Sequence, residues 1–550
     1  MRKSILSASI AAMIGGLGFA GLANAGVHAP AANQATALSI NEAGTGHILI
    51  VPYFTTQGTN ATLLNITNTD TSNGKLVKIR FRGASNSDDI FDFTLALSPG
   101  DVWAAKVSQG TDGRSQLETS DKSCTLPSFV ATQRNSFPTG RLNPALTDAQ
   151  KANETREGYI EILTMADIPS AANSDQFAAA SPITTNPLFT AIKHVNGVAP
   201  CTTATLNTLR TDSEYYDIAA AAALPVPVTI TAPTTRTARG KGLNYPTGRL
   251  MANWTIIDTV KTATFSGAAV AVRAAGGAAT DVNANIVFFP QSDDLVPNAG
   301  GTALDGLTAD PLLRSANRLA TNPATGGAPA APASATPFIA ASYYDLPDLS
   351  TPYLAATTDP RAQAQALTAA LAAKSVINEY LTTTSIAATT DWVFSMPTRR
   401  YNVAVNYRFT SPLSTDSRVY TTWTADYFDA TNTSLVNGQI CVAADSGAAG
   451  VNQWDREETT TSSQFVISPG TVNNVRFCGE TSVLAFNNGT NTSSGSLSAS
   501  VALQNLNVNA NEGWVSLGTS GLSSRGLPVL GAAFAKSSAF GAVWPHRYTR

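Results

Sequence analysis

Two groups of acidic residues have the types that sugar-cleaving chemistry needs. Glu157 and Glu161 stand four apart, and Asp455-Arg456-Glu457-Glu458 follows Trp454 directly. A glycoside hydrolase works with two carboxyl groups about 5–9.5 Å apart, one of them kept protonated by its surroundings. An indole beside such acids suits the apolar face of a sugar. The plainer expectation is that Arg456 neutralises a neighbouring acid on an exposed turn, where ion pairs are frequent and weak. We therefore read Trp454, Asp455, Glu457 and Glu458 as ligand-contact candidates, with Trp423 a second loop aromatic, and assign no catalytic residue.

Other reactive constellations are missing from the sequence. The four histidines, His28, His47, His194 and His546, show no H-x-x-x-H pairing that would seat zinc or iron. There is no G-x-S-x-G elbow for a serine hydrolase and no phosphate-binding G-x-x-x-x-G-K-[ST] loop. Calcium is the one cofactor left open. Asp88-Asp89, Asp293-Asp294 with Asp305, and Asp345 with Asp348 are hard oxygen ligands, but none follows the D-x-[DN]-x-[DN]-G spacing.

The N-terminus explains the setting in which such residues would act. Arg2 and Lys3 precede an uncharged apolar run from Ile5 to Leu22, and Ala23-Asn24-Ala25 supplies small residues for cleavage. This is the pattern of a secretory signal, cut after Ala25. No later run approaches the ~20 apolar residues of a spanning helix, so no transmembrane segment is expected after cleavage. Without Arg2 and Lys3 the chain carries 33 basic against 38 acidic residues, a net of −5. That sign argues against nucleic acid as a partner. Charged residues make up 13% of the chain, about half the usual share, and Thr, Ser, Asn, Ala and Gly replace them. Four cysteines in an exported chain predict two disulfides. Of three connectivities we expect Cys124–Cys201 and Cys441–Cys478, each closing a loop within one half and each contributing about 3–4 kcal/mol.

The elements that position these residues are mostly strands. Val77, Ile79 and Phe81 alternate with Lys78, Arg80 and Arg82, which predicts a strand with one wet face. Phe91, Phe93, Leu95 and Leu97 alternate likewise and run into Ser98-Pro99-Gly100-Asp101-Val102. Ser468-Pro469-Gly470-Thr471-Val472 repeats that corner in the second half, hinting at related lobes. Tyr401, Val403, Val405 and Tyr407, and Leu497, Ala499, Val501 and Leu503, predict two more strands. Asp359 and Pro360 open a helix expected to reach about Leu381, with Leu367, Leu371, Lys374 and Ile377 near one face. The expected fold is mainly β: two β-sandwich lobes, Ig-like or jelly-roll-like, with Ala/Pro-rich insertions and one prominent helix. The expected divisions are a signal peptide 1–25, a flexible lead-in 26–38, an N-terminal lobe 39–290, a Pro/Ala/Gly-rich linker region 291–358, the helix 359–382 and a C-terminal lobe 383–550. A membrane barrel fits less well, because strand lengths are irregular and the C-terminus His546-Arg547-Tyr548-Thr549-Arg550 is basic.

Segments across the mature chain resemble a broad family of exported, β-rich surface proteins of Gram-negative bacteria, some described as surface-layer-like. They are Ile48–Phe54 (ILIVPYF), Thr62–Asp70 (TLLNITNTD), Phe91–Trp103 (FDFTLALSPGDVW), Glu157–Glu161 (EGYIE), Thr390–Arg400 (TDWVFSMPTRR) and Trp454–Glu458 (WDREE). The resemblance implies location and fold and brings no catalytic residues. The expectation is a non-catalytic structural protein at the cell surface or outside it, with the periplasm as the alternative site. Its partners would be its own copies, in an oligomer or lattice, and cell-envelope polysaccharide. The alternatives are a carbohydrate-binding adhesin and a carboxylate-dependent glycoside hydrolase.

Overall fold

The computed structural model describes residues 27–28, 34–140, 142–171, 185–207, 242–260, 263–276, 284–287, 320–321, 353–354, 360–405, 407, 417–421, 427–445, 450–457, 466–467, 471–472, 475–487, 494–508, 510–521, 525–538 and 540–550. The chain is mainly β, and its strands form several sheets. The first-half hydrophobic alternation builds a seven-stranded antiparallel sheet. Its order is Ala37–Ile40, Val270–Ala275, Ile48–Thr55, Glu157–Ile168, Gly74–Gly83, Asp89–Leu97 and Cys124–Leu126. A six-stranded antiparallel sheet packs on one face of it, centred on Val102–Gln109, Asn60–Asn68 and Leu250–Asp258. Val77, Ile79, Phe81, Phe91, Phe93 and Leu95 meet Leu64, Ile66, Trp103 and Trp254 in the core between them.

The other face of the seven-stranded sheet is not wet. Lys78, Arg80 and Arg82 are fully buried, so the alternation places two faces correctly and misjudges what covers one of them. That cover includes second-half residues such as Arg399, Arg400 and Tyr407, all buried.

The second half contributes a five-stranded sheet built around Thr389–Ser395 and a four-stranded sheet of order Val451–Asp455, Glu512–Gly518, Ser375–Leu381 and Arg547–Thr549. Trp392, Phe394 and Phe486 of the former pack on Val376, Tyr380, Val515 and Leu517 of the latter. The opposite face of the five-stranded sheet enters the first-half core. Phe534 lies 6.2 Å from the Tyr53 ring, 5.8 Å from Trp254 and 5.5 Å from Phe265, ring centre to ring centre. The expected boundary between lobes is therefore crossed by one continuous core.

Several local expectations are corrected. The helix spans Pro360–Leu371 and ends before Lys374. Ser375–Leu381 is instead a strand pairing with Glu512–Gly518, because Val376, Asn378 and Tyr380 alternate with period two toward the core. Arg399–Asn402 is a short helix, and the strand after it covers only Val403–Val405. The lead-in is tied down in part: Val27–His28 pairs with Ile286–Val287, and Ala37–Ile40 joins the large sheet. The first S-P-G corner carries the chain from the seven- to the six-stranded sheet, with Gly100 at φ 72°; Ser468-Pro469-Gly470 of the second lies outside the described residues. The expected signal peptide 1–25 and most of the expected linker region 291–358 lie outside the described residues.

Candidate functional site

Glu157 sits at the start of its strand, fully buried. One carboxylate oxygen accepts from the Tyr53 hydroxyl at 2.7 Å. The other accepts from Gln57 Nε2 at 3.2 Å and from the backbone N–H groups of Ser500 at 2.9 Å and Val501 at 2.6 Å. Burial raises its pKa, and these four donors oppose the rise. Asp391 repeats the arrangement in the second half. Its Oδ2 accepts from the Ser494 hydroxyl and from the N–H groups of Ser496 and Leu497, at 2.5, 2.9 and 2.8 Å. Together the two acids hold residues 494–501, a strap whose Leu497, Ala499 and Val501 are buried without forming the expected strand. The alternation in Leu497–Leu503 is real, but side-chain carboxylates satisfy this backbone in place of a ladder. The regular strand starts at Leu503.

Glu161 belongs to a buried ionic layer instead. Arg82 Nε lies 3.5 Å from it, Lys78 Nζ 3.3 Å from Asp92, and Arg80 reaches Asp92 at 3.1 Å and Asp89 at 3.5 Å. The second half completes the layer with Arg399–Glu480 at 2.8 Å and Arg400–Asp88 at 3.0 Å. Tyr407 donates to the other Asp88 oxygen at 2.5 Å. Five cations (Lys78, Arg80, Arg82, Arg399, Arg400) thus face five carboxylates (Asp88, Asp89, Asp92, Glu161, Glu480), all buried. Burial raises the Glu161 and Glu480 carboxyls, and the guanidiniums of Arg82 and Arg399 pull them back. Asp88 and Asp89, read as calcium ligands, are held by arginines. Nearby, Lys75 Nζ bridges Asp70 at 2.8 Å and Asp167 at 2.6 Å, occupying the place a cation would take. Burial pushes Asp167 up to about 6 despite that lysine.

The histidines are equally committed. His47 Nε2 donates to the Pro246 carbonyl and Nδ1 accepts from Ala274 N–H, both at 3.1 Å. His546 Nε2 donates to the Val393 carbonyl at 3.0 Å and Nδ1 accepts from Asn378 at 2.9 Å. Burial lowers both rings to about 3, so both are neutral. His194 forms a Ser/His/Asp group that sequence spacing hides. Ser98 Oγ is 3.2 Å and Asp101 3.4 Å from the same ring atom, Nδ1. A catalytic relay needs the serine and the acid on opposite nitrogens, and here they share one. Asp101 Oδ2 instead closes the Ser98–Asp101 corner by accepting from Ser98 N–H at 3.1 Å.

Trp454 and Trp514 form a stacked aromatic pair on the outer face of their sheet. They are cross-strand partners on the four-stranded sheet, stacked with ring centres 3.8 Å apart and planes 10° from parallel. Trp514 is 38% exposed. Arg456 Nη1 pairs in solvent, at 2.6 Å, with Glu512 on the adjoining strand and not with a neighbouring acid of its own turn. The Glu457 N–H donates to Asp455 Oδ1 at 2.9 Å. Trp514 was missed because its partner lies 60 positions earlier and only sheet register joins them. Glu458, Trp423, Asp293, Asp294, Asp305, Asp345 and Asp348 lie outside the described residues.

Both disulfides form as expected, Cys124–Cys201 and Cys441–Cys478, with Cα atoms 5.3 and 4.0 Å apart. Cys441 and Cys478 face each other on neighbouring strands. A closed crevice lined by Leu76, Thr94, Ala96, Cys124, Thr125, Leu126 and Leu206 contains none of the candidate acids. Among the described residues no three His, Cys, Asp or Glu side chains gather as a metal site, and no helix is long and apolar enough to cross a membrane. No protein-family profile, curated relative or solved structure matches the chain.

Proposed function

We propose that this chain is an exported structural protein of a Gram-negative cell surface, surface-layer-like and self-associating, with no catalytic task. One observation carries the reading: the buried acids and histidines named above are spent holding backbone or balancing a buried cation. Glu157, Glu161, His47 and His546 are bonded internally through both of their polar atoms, and Asp391 through one carboxylate oxygen. The two disulfides suit an oxidising compartment. Six- on seven-stranded and four- on five-stranded pairs support a reading of two sandwiches fused through a common core.

Self-contact has a candidate surface. Val260 and Phe540, 70% and 64% exposed, sit on the turns after Leu250–Asp258 and Leu530–Lys536. The Lys536–Asp258 bridge of 2.6 Å and the packing of Gly541 on Phe265 bring those turns to one end of the molecule. Exposed apolar side chains brought to one end of the molecule favour contact with other copies.

Negative-stain microscopy of a surface extract, with and without a calcium chelator, tests the reading. Ordered arrays that thin out in the Val260→Ser/Phe540→Ser variant are expected. A monodisperse monomer at every concentration, or turnover of a polysaccharide that Glu457→Gln abolishes, would overturn it.

A further inference from the structure

The outer face of the four-stranded sheet differs from every other sheet face described. Its register sets residues in rows across the strands. Trp454, Trp514 and Glu379 form one row, and Asn452, Ser516, Ile377 and Arg547 form the next. On the far side of the tryptophan row stand Arg456 and Glu512, joined by their exposed ion pair. Trp103, Trp254 and Trp392 are buried, whereas Trp514 meets solvent beside the exposed Glu379. The inner face of the same sheet is anchored in the core through Val376, Tyr380, Val515 and Leu517. The tryptophans are therefore presented on a rigid support, and an aromatic held this way loses little entropy on binding.

Three features narrow the occupant. The face is open, so it suits an extended chain better than a small molecule, which needs a concavity. Two partly exposed indoles offer less than about 500 Å² of apolar surface, short of the ~800 Å² per partner of a stable protein interface. The charge around them is acidic on balance: Glu379, Glu457 and Glu512 against Arg456, which Glu512 already holds, and Arg547 in the next row. An anionic polymer would be repelled, and a cationic group would gain both from the carboxylates and from the indole faces.

We propose that this face binds a polysaccharide whose pyranose units carry free amino groups. The apolar side of the ring stacks on the indole face of Trp514 that is turned away from Trp454, and the ammonium group points at Glu379.

Titration of the full oxidised chain with a glucosamine hexamer, an N-acetylglucosamine hexamer and a galacturonate hexamer, following tryptophan fluorescence, tests this. Glucosamine hexamer is expected to bind at least tenfold tighter than its acetylated form, and galacturonate not at all. Trp514→Ala is expected to weaken binding at least tenfold. Glu379→Gln, which leaves the stack intact, should reduce the preference for the free amine severalfold. Equal binding of all three hexamers, no binding of any, or full affinity in Glu379→Gln would each overturn the proposal. If Trp514→Ala does not fold, the Glu379→Gln result decides alone.

Discussion

The Gly74–Gly83 strand and the Ser375–Leu381 strand each send one set of alternating residues into an apolar core. They differ in what lies over the other set. Lys78, Arg80 and Arg82 are sealed under second-half residues and compensated charge for charge, whereas Glu379 is open to water. The same periodicity therefore produces a buried ionic layer in one place and a solvated face in the other. The lesson is energetic. Removing one partner of a buried pair strands a charge where water cannot reach it, while a surface charge loses little.

Breaking the buried side of the comparison should give the largest effect. Arg82→Ala leaves Glu161 uncompensated and is expected to cost about 3–5 kcal/mol in urea unfolding. A loss under 1 kcal/mol would mean that solvent reaches this layer.

The closure over that layer can be probed through backbone. Gly479 has φ 79°, and a Cβ there would stand 2.4 Å from the Ala84 carbonyl oxygen. Ala84 O in turn accepts from the N–H groups of Glu480 and Thr481, at 2.8 and 3.1 Å. Gly479→Ala is expected to cost about 2 kcal/mol, because it adds strain at a left-handed position and pushes the halves apart. An unchanged urea midpoint would show that the clasp contributes nothing.

Glu154 sharpens the comparison through pH. Burial, with Asp88 and Glu157 nearby, raises its carboxyl from 4.5 to about 7, against a hydrogen bond from Ser85. Between those values the folded chain keeps a proton that the unfolded chain releases. Its contribution to stability therefore falls as pH rises through that window. Glu154→Gln should stabilise by about 1 kcal/mol at pH 8, less than the full shift since the group is partly exposed, and change nothing at pH 4. Equal effects at both pH values would contradict the assignment.

The smallest effect belongs to the open face. Glu379→Ala is expected to move stability by less than about 0.5 kcal/mol, and a larger loss would mean that this face is covered.

Much of this was legible in the sequence. The alternation of Phe91, Phe93, Leu95 and Leu97 located a strand, Ser98-Pro99-Gly100 located its corner, and in-half loop closure gave the cysteine pairing. What failed had tertiary causes. Nothing local distinguishes Arg80 in a buried layer from Arg80 in water, since the compensating Asp92 is near in sequence but the covering residues are some 300 positions away. Ala-rich Pro360–Leu371 flows into Ser375–Leu381 without Pro or Gly, so helix propensity outran the change of period. The 494–501 strap carries a strand's alternation, yet its N–H partners are the carboxylates of Glu157 and Asp391. The stacked Trp454–Trp514 pair depended on register, which composition does not encode.

The claim beneath all of this is that the polar interior welds both halves into one body. Differential scanning calorimetry of the oxidised chain tests it directly. A single transition that Arg82→Ala and Asp391→Asn, one in each half, both shift as a whole is the expected result. Two separable transitions, each answering to only one of those substitutions, would contradict it.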